Sequence, residues 1–175
     1  IDATAFVAPG AVIIGDVEIG PGSGIWFGCV LRGDVNAIRI GRDVNIQDGT
    51  IVHVAGTGPG GRTEIGDGVS IGHLALIHAC TLEPGAFVGM RAAVMDGAVV
   101  EGGAIVAAGA LVTPRKRIPA GAVWAGNPAR LLREASDADR AMVAYTRKRY
   151  VALALEYRTA AAAVGESSGS GSSAG

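Results

Sequence analysis

Large aliphatic residues recur at every sixth position along most of the chain, through Val7, Ile13, Ile19, Ile25 and Leu31, then Ile40, Ile46 and Val52. The series resumes at Ile65, Ile71 and Ile77. It then runs on as Leu82, Val88, Val94, Val100, Val106, Val112 and Ile118, with Trp124 in phase as its last member. Four residues after most of these stands a small side chain, as at Ala11, Ser23, Cys29, Thr50, Ala75, Ala86, Ala92, Ala98, Ala104, Ala110 and Ala122. A six-residue period matches neither the 3.6 of an α-helix nor the 2 of a half-buried strand.

The period does match a triangular solenoid, in which one hexad forms a flat face and three hexads form a coil. The aliphatic residue points inward and fills the prism, while the small residue lets the chain round the corner. Gly and Asp cluster where positive φ is needed, as at Gly15-Asp16, Gly41-Arg42-Asp43 and Gly66-Asp67-Gly68. About nineteen hexads predict roughly six coils. The expected fold class is an all-β solenoid, a left-handed parallel β-helix of hexapeptide repeats over residues 1–130, followed by a C-terminal α-helix.

The phase breaks three times, with a gap of nine between Leu31 and Ile40, thirteen between Val52 and Ile65, and five between Ile77 and Leu82. Insertions in a solenoid emerge as loops on one side, so these breaks mark residues 31–82 as the functional stretch. After Trp124 the run Ala125-Gly126-Asn127-Pro128-Ala129-Arg130 reads as a turn that stops the repeat. Ser136 is a good N-cap for a helix over 136–160, with Asp137 and Asp139 in its first turn. Met142, Val143, Tyr150, Leu153 and Tyr157 form the stripe expected to pack on the prism. Residues 165–175 are Ser/Gly-rich and read as a disordered tail.

Composition narrows the partners. A formal net charge of −1 gives no electrostatic footprint for nucleic acid, and no apolar run approaches the roughly 20 residues of a membrane span. No charged and apolar leader is visible at the N-terminus, so a cytoplasmic location is expected. Cys29 and Cys80 each precede an inward aliphatic by two residues and read as buried, inert thiols.

The only three histidines, His53, His73 and His78, lie within one 26-residue window beside the phase breaks. His53 follows inward Val52 by one and His78 follows inward Ile77 by one, a full coil later. They should therefore stack about 4.8 Å apart along the axis, with Arg32 directly beneath. His73 follows Ile71 by two and belongs to the preceding face, above Asp48. A prism edge separates it from the other pair, so one subunit does not close all three around an ion. A threefold trimer would place His73 of one chain against His53 and His78 of the next, and three imidazoles with an open position suit a catalytic zinc.

These residues resemble the γ-class carbonic anhydrases. The match runs through Arg32-Gly33-Asp34, then Ile40-Gly41-Arg42-Asp43-Val44-Asn45-Ile46-Gln47-Asp48, then His53, Gly72-His73 and His78, and covers nearly the whole chain. The resemblance implies a homotrimer with metal sites at its subunit interfaces, holding zinc, with iron or cobalt as alternatives. The activity it implies is a carbonate dehydratase, a metal-activated hydroxide attacking CO2 to give bicarbonate. It implies metal ligation by His53, His73 and His78 and an orienting role for Gln47 near the bound water. Arg32 and Asp34 match a pair beside the site, Tyr150 a tyrosine of the C-terminal helix, and Asp48 an acceptor that fixes the tautomer of His73. No further organic cofactor is implied.

The chain also departs from the archaeal members, whose glutamates carry protons away from the metal. Val35 stands where one of them would follow Asp34, and the loop Ala55–Arg62 after the first histidine holds no acid. Ala152 replaces an asparagine two residues beyond the helix tyrosine. The chain is in these respects like the shorter bacterial branch, and slow hydration is expected. Two other readings stand beside this one. The first is a metal-dependent acyl-CoA thioesterase or acyltransferase of the hexapeptide-repeat superfamily, and the second a non-catalytic metal-binding scaffold.

Overall fold

The computed structural model describes residues 1–56, 58 and 60–169, the side chains of 161–169 excepted. It is a parallel β-solenoid of about six turns with one C-terminal helix, which is the fold class the repeat predicts. Short strands stack in register from coil to coil. On the first face Ile25 aligns with Ile46, Ile46 with Ile71 and Val88 with Val106. On the second, Ile13 aligns with Leu31, Val52, Ile77, Val94 and Val112 in turn. On the third, Ile19 aligns with Ile40, Ile65, Leu82, Val100 and Ile118. One long strand, Val30–Ile40, turns the corner between the second and third faces, with Val12–Ile19 running parallel beside it.

The inward aliphatics fill the prism. Ile25, Leu31, Ile46, Val52, Ile71 and Ile77 are fully buried, and the small corner residues Ala86, Ala98 and Ala104 are equally inaccessible. Val44 and Val69 occupy the same corner position with a larger side chain and are also buried. Cys29 and Cys80 are free and buried, as expected. Burial pushes the Cys29 thiol up to about 11 and the Cys80 thiol up to about 12.

The structure corrects the sequence reading at the C-terminal end. The repeat does not simply stop after Trp124. The chain reverses and returns as an antiparallel strand, Arg130–Glu134, paired with Ala122–Ala125. That strand covers backbone groups on the last coil that would otherwise form an open edge. The helix α1 then spans Asp137–Gly169 and so runs past the expected end at 160. Residues 165–169 continue it after an alanine run at 160–163 that favours helix, and 170–175 lie outside the described residues. Ser136 caps α1 as expected, accepting from the Asp139 N–H at 3.2 Å, while the Asp139 carboxylate accepts from the Ser136 N–H at 2.7 Å. This is a reciprocal cap of the capping-box kind.

The helix lies against the first face and packs with most of the expected stripe. Tyr150 and Leu153 pack on Phe6 and Trp26, and Val143 packs on Ile105 and Val123. Tyr157, though 43% exposed, sets its ring against Phe6, Trp26 and Phe27 with centroids 5.6, 5.4 and 5.9 Å apart, while Met142 stays 41% exposed. Buried Ala154 adds a close approach opposite Gly24, where an added Cβ would lie 3.5 Å from the Ala154 Cβ. Among the described residues no helix is long and apolar enough to cross a membrane.

Two outcomes are expected from this packing. Ile71→Ala should lower unfolding free energy in urea by about 2–5 kcal/mol, and Met142→Ala by less than about 0.5 kcal/mol. Because only thiolates alkylate readily, Cys29 and Cys80 should resist iodoacetamide in folded protein at mildly alkaline pH and react fully in denaturant. Rapid labelling of the folded chain would contradict the buried placement.

Candidate metal centre

The in-register ladder builds one column of candidate site side chains at the corner leaving the second face. Arg32 pairs with His53 and His53 with His78 in consecutive coils. His53 Nδ1 lies 3.2 Å from His78 Nε2, with ring centroids 5.1 Å apart. Each imidazole turns its other nitrogen to a carboxylate. His53 Nε2 is 3.1 Å from Asp34 Oδ1, and His78 Nδ1 is 2.7 Å from Asp96 Oδ1. Arg32 donates to the second oxygen of Asp34. Burial works to raise the Asp34 carboxyl, but the hydrogen bonds from Arg32 and His53 outweigh it and hold the group below the usual carboxylate range.

His73 stands at the opposite corner, where the chain enters the second face. Its Nδ1 lies 2.8 Å from Asp48 Oδ2, the acceptor expected beneath it, and its Nε2 lies 3.4 Å from the Tyr150 hydroxyl. Tyr150 therefore does more than pack: one edge meets Trp26 with ring centroids 5.3 Å apart, and its hydroxyl reaches the histidine. Burial, then the nearby Asp48 charge, pushes that phenol up. Gln47 belongs to this group as well. It is buried, and its amide nitrogen donates to Asn45 Oδ1 at 3.1 Å, while Asn45 donates to Ser70 Oγ at 2.7 Å. Gln47, His73 and Tyr150 line one end of a cleft of about 520 Å³ between α1 and the prism.

The structure thus sorts the expected residues into two half-sites. Arg32, Asp34, His53 and His78 share one corner, and Gln47, Asp48, His73 and Tyr150 share the other. Among the described residues, no three His, Cys, Asp or Glu side chains of one chain converge as metal ligands. Asp96 is the residue that sequence reasoning missed. The signal was present, since Asp96 follows inward Val94 by two and Val94 sits one coil above Ile77.

The insertion after Val52 forms a loop beside the first half-site, whereas the residues added between Leu31 and Ile40 lengthen the strand Val30–Ile40 and do not form the expected loop. Asn36 Nδ2 donates to the carbonyls of Gly56 and Gly58 at 3.2 and 3.0 Å, and the Ala55 N–H donates to Gly61 O at 2.8 Å. The glycine-rich loop is thereby tied back to the long second-to-third-face strand. Val35, next to Asp34, is 48% exposed.

No family model matches the chain. Over 157 residues it is 54% identical to γ carbonic anhydrase 2, mitochondrial, of Arabidopsis thaliana, covering 88% of this chain and 56% of that protein. The chain therefore spans little more than half the length of that relative. It is 40% identical over 159 residues to the carbonic anhydrase of Geobacillus kaustophilus, covering 90% of this chain and 85% of the relative. Among solved structures, a hexapeptide transferase family protein from Anaplasma phagocytophilum superposes with a TM-score of 0.84 at 47% identity, covering 89% and 90% of the two chains. By its repeat, its histidine placement and these likenesses, the chain belongs to the γ carbonic anhydrase family.

Proposed function

We propose that three copies of this chain form a carbonic anhydrase-like enzyme that hydrates CO2 to bicarbonate. Each zinc ion would be shared by His53 and His78 of one copy and His73 of the next. The observation that carries this reading is the 3.2 Å separation of His53 Nδ1 and His78 Nε2. Two nitrogens bound to one tetrahedral zinc at about 2.0–2.1 Å lie about 3.3 Å apart, so the pair has the spacing of two ligands. The third donor is absent from that corner and present at the other, where Asp48 holds His73.

The outward surface of the second face supports assembly. Val12, Val30, Ile51, Leu76, Ala93 and Leu111 stack there as one apolar column between the two half-sites. Val12 and Ile51 are 44% and 46% exposed in the single chain. The other two faces are provided for. The helix covers the first, and the third carries ion pairs such as Arg39–Asp16 at 2.8 Å and Arg62–Glu64 at 2.6 Å. A continuous apolar strip on one face of a charged prism marks an interaction surface.

When bound, zinc lowers the pKa of a coordinated water to about 7 and supplies a hydroxide nucleophile at neutral pH. The protein's own groups would orient and exclude. Asp34, steadied by Arg32, fixes His53, and Asp48 fixes His73. Gln47, held by Asn45, orients the attacking water from the His73 side, and Tyr150 closes the rim. A lone-histidine acyltransferase fits less well: His73 does line a cleft, but that reading leaves the facing His53–His78 pair without a role.

Metal content tests the shared site. Wild-type protein should carry about one divalent ion per chain, and His53→Ala and His73→Ala homotrimers should carry none. Mixing the two variants should restore part of the metal. The intact interface is the one where the His73→Ala chain gives His53 and His78 and the His53→Ala chain gives His73. Equal loss in mixed and pure trimers, measured by elemental analysis, would refute a site split between copies.

Turnover tests the chemistry. With Val35 and an acid-free loop beside the site, proton export should limit steady-state CO2 hydration. Small buffers such as imidazole should then raise the rate, and Val35→Glu should partly replace them. Fast hydration independent of buffer would show another proton route. No hydration at full metal loading would overturn the enzymatic reading.

A further inference from the structure

We infer that Asp96 is a positioning residue for the metal site, setting the tautomer and ring orientation of His78 from the coil above; the inference rests on the metal reading given above. The carboxylate lies 2.7 Å from His78 Nδ1, and no other side-chain partner of Asp96 occurs among the described residues. A carboxylate in that place keeps the proton on Nδ1 and leaves the Nε2 lone pair facing His53, which is the form a metal ligand needs.

The backbone around Asp96 is built to hold it there. The Gly97 N–H donates to Ala79 O at 2.7 Å, which ties the turn after Asp96 to the turn after His78. The Ala79 N–H donates to His53 O at 3.1 Å, and the Arg115 N–H donates to Asp96 O at 2.8 Å. Four successive coils thus clamp the His78–Asp96 pair. Asp34 is placed differently, because its carboxylate is divided between Arg32 and His53. Asp96 faces His78 alone, and its side chain is 47% exposed, so it has little part in the core.

Two measurements on the full chain separate this role from a structural one. The first is zinc affinity by competition with a chromogenic chelator. Asp96→Ala should bind zinc about 10–100-fold more weakly than wild type, and Asp96→Asn, which keeps an acceptor without the charge, should fall between them. The second is the His78 tautomer in metal-free protein, read from two-bond ¹H–¹⁵N couplings in mildly alkaline buffer. Wild type should show the proton on Nδ1, and Asp96→Ala should shift the population toward Nε2–H. The thermal midpoint of the metal-free variants should stay at the wild-type value.

Unchanged affinity together with an unchanged tautomer in Asp96→Ala overturns the inference. If wild type takes up no zinc, the metal reading fails. The tautomer measurement alone then decides whether Asp96 sets the state of His78.

Discussion

The side chains of the prism take their places from the ladder of parallel backbone hydrogen bonds that stacks each coil on the one below. The Val30 N–H donates to Thr50 O, the Ile51 N–H to Ala75 O and the Leu76 N–H to Ala92 O, all at 2.9–3.0 Å. Such a ladder does not slip by one residue, because a slip would turn Val52 or Ile77 outward and drive its polar neighbours into the prism. Added or missing residues are therefore expelled to the corners. The long gap between Val52 and Ile65 emerges as a loop just beyond His53. The shortened hexad between Ile77 and Leu82 tightens the turn just beyond His78. The chemistry is placed by where the repeat is forced to break.

The tight corners carry local strain. Leu74 and Ala79, each the residue after a histidine, adopt φ of 59° and 46°. Most equivalent corners use glycine in this conformation, as at Gly28, Gly49 and Gly109. A left-handed conformation costs an L-residue about 1–2 kcal/mol, so it persists only where the surroundings impose it. Here the flanking ladder does so. The Leu74 N–H is held by Asp48 O and the Arg91 N–H by His73 O, each at 2.9 Å. Leu74 is also 58% exposed beside His73, a strained apolar residue facing away from the core. In the proposed trimer that position faces a neighbouring copy.

The prism was legible because its signal is repeated many times in one phase, so single irregular hexads such as those ending in Val44 and Val69 could not obscure it. The same counting placed Arg32, His53 and His78 in a column and Asp48 under His73. What was not legible depends on side-chain direction rather than register. Nothing in the period says that Tyr150 extends past Trp26 to His73, or that Asp34 divides its oxygens between Arg32 and His53. Asp96 lies beyond the last phase break, in a regular hexad that no irregularity marks, although the column continues one coil higher. The end of the chain was misjudged for another reason. The returning strand Arg130–Glu134 forms by pairing with an edge, and that need is created by the fold rather than written in the hexads.

A filled triangular prism has a convex surface, and this explains the division of the site. Its interior is occupied by isoleucine, leucine and valine and has no room for a ligand, while its corners point away from one another. Imidazoles at two corners of one prism cannot converge, whatever their rotamers. A deep cleft forms where something lies against a face. Within one chain α1 does this on the first face, and the cleft that brings Gln47, His73 and Tyr150 together is the result. On the second face the apolar column from Val12 to Leu111 runs between the two half-sites, and among the described residues no element packs over it. A second prism laid there in threefold symmetry keeps axial height, so the level of His73 on one copy meets the level of His53 and His78 on the next. The same contact that buries the column would complete the ligand set, and assembly and metal binding would then be coupled through one surface.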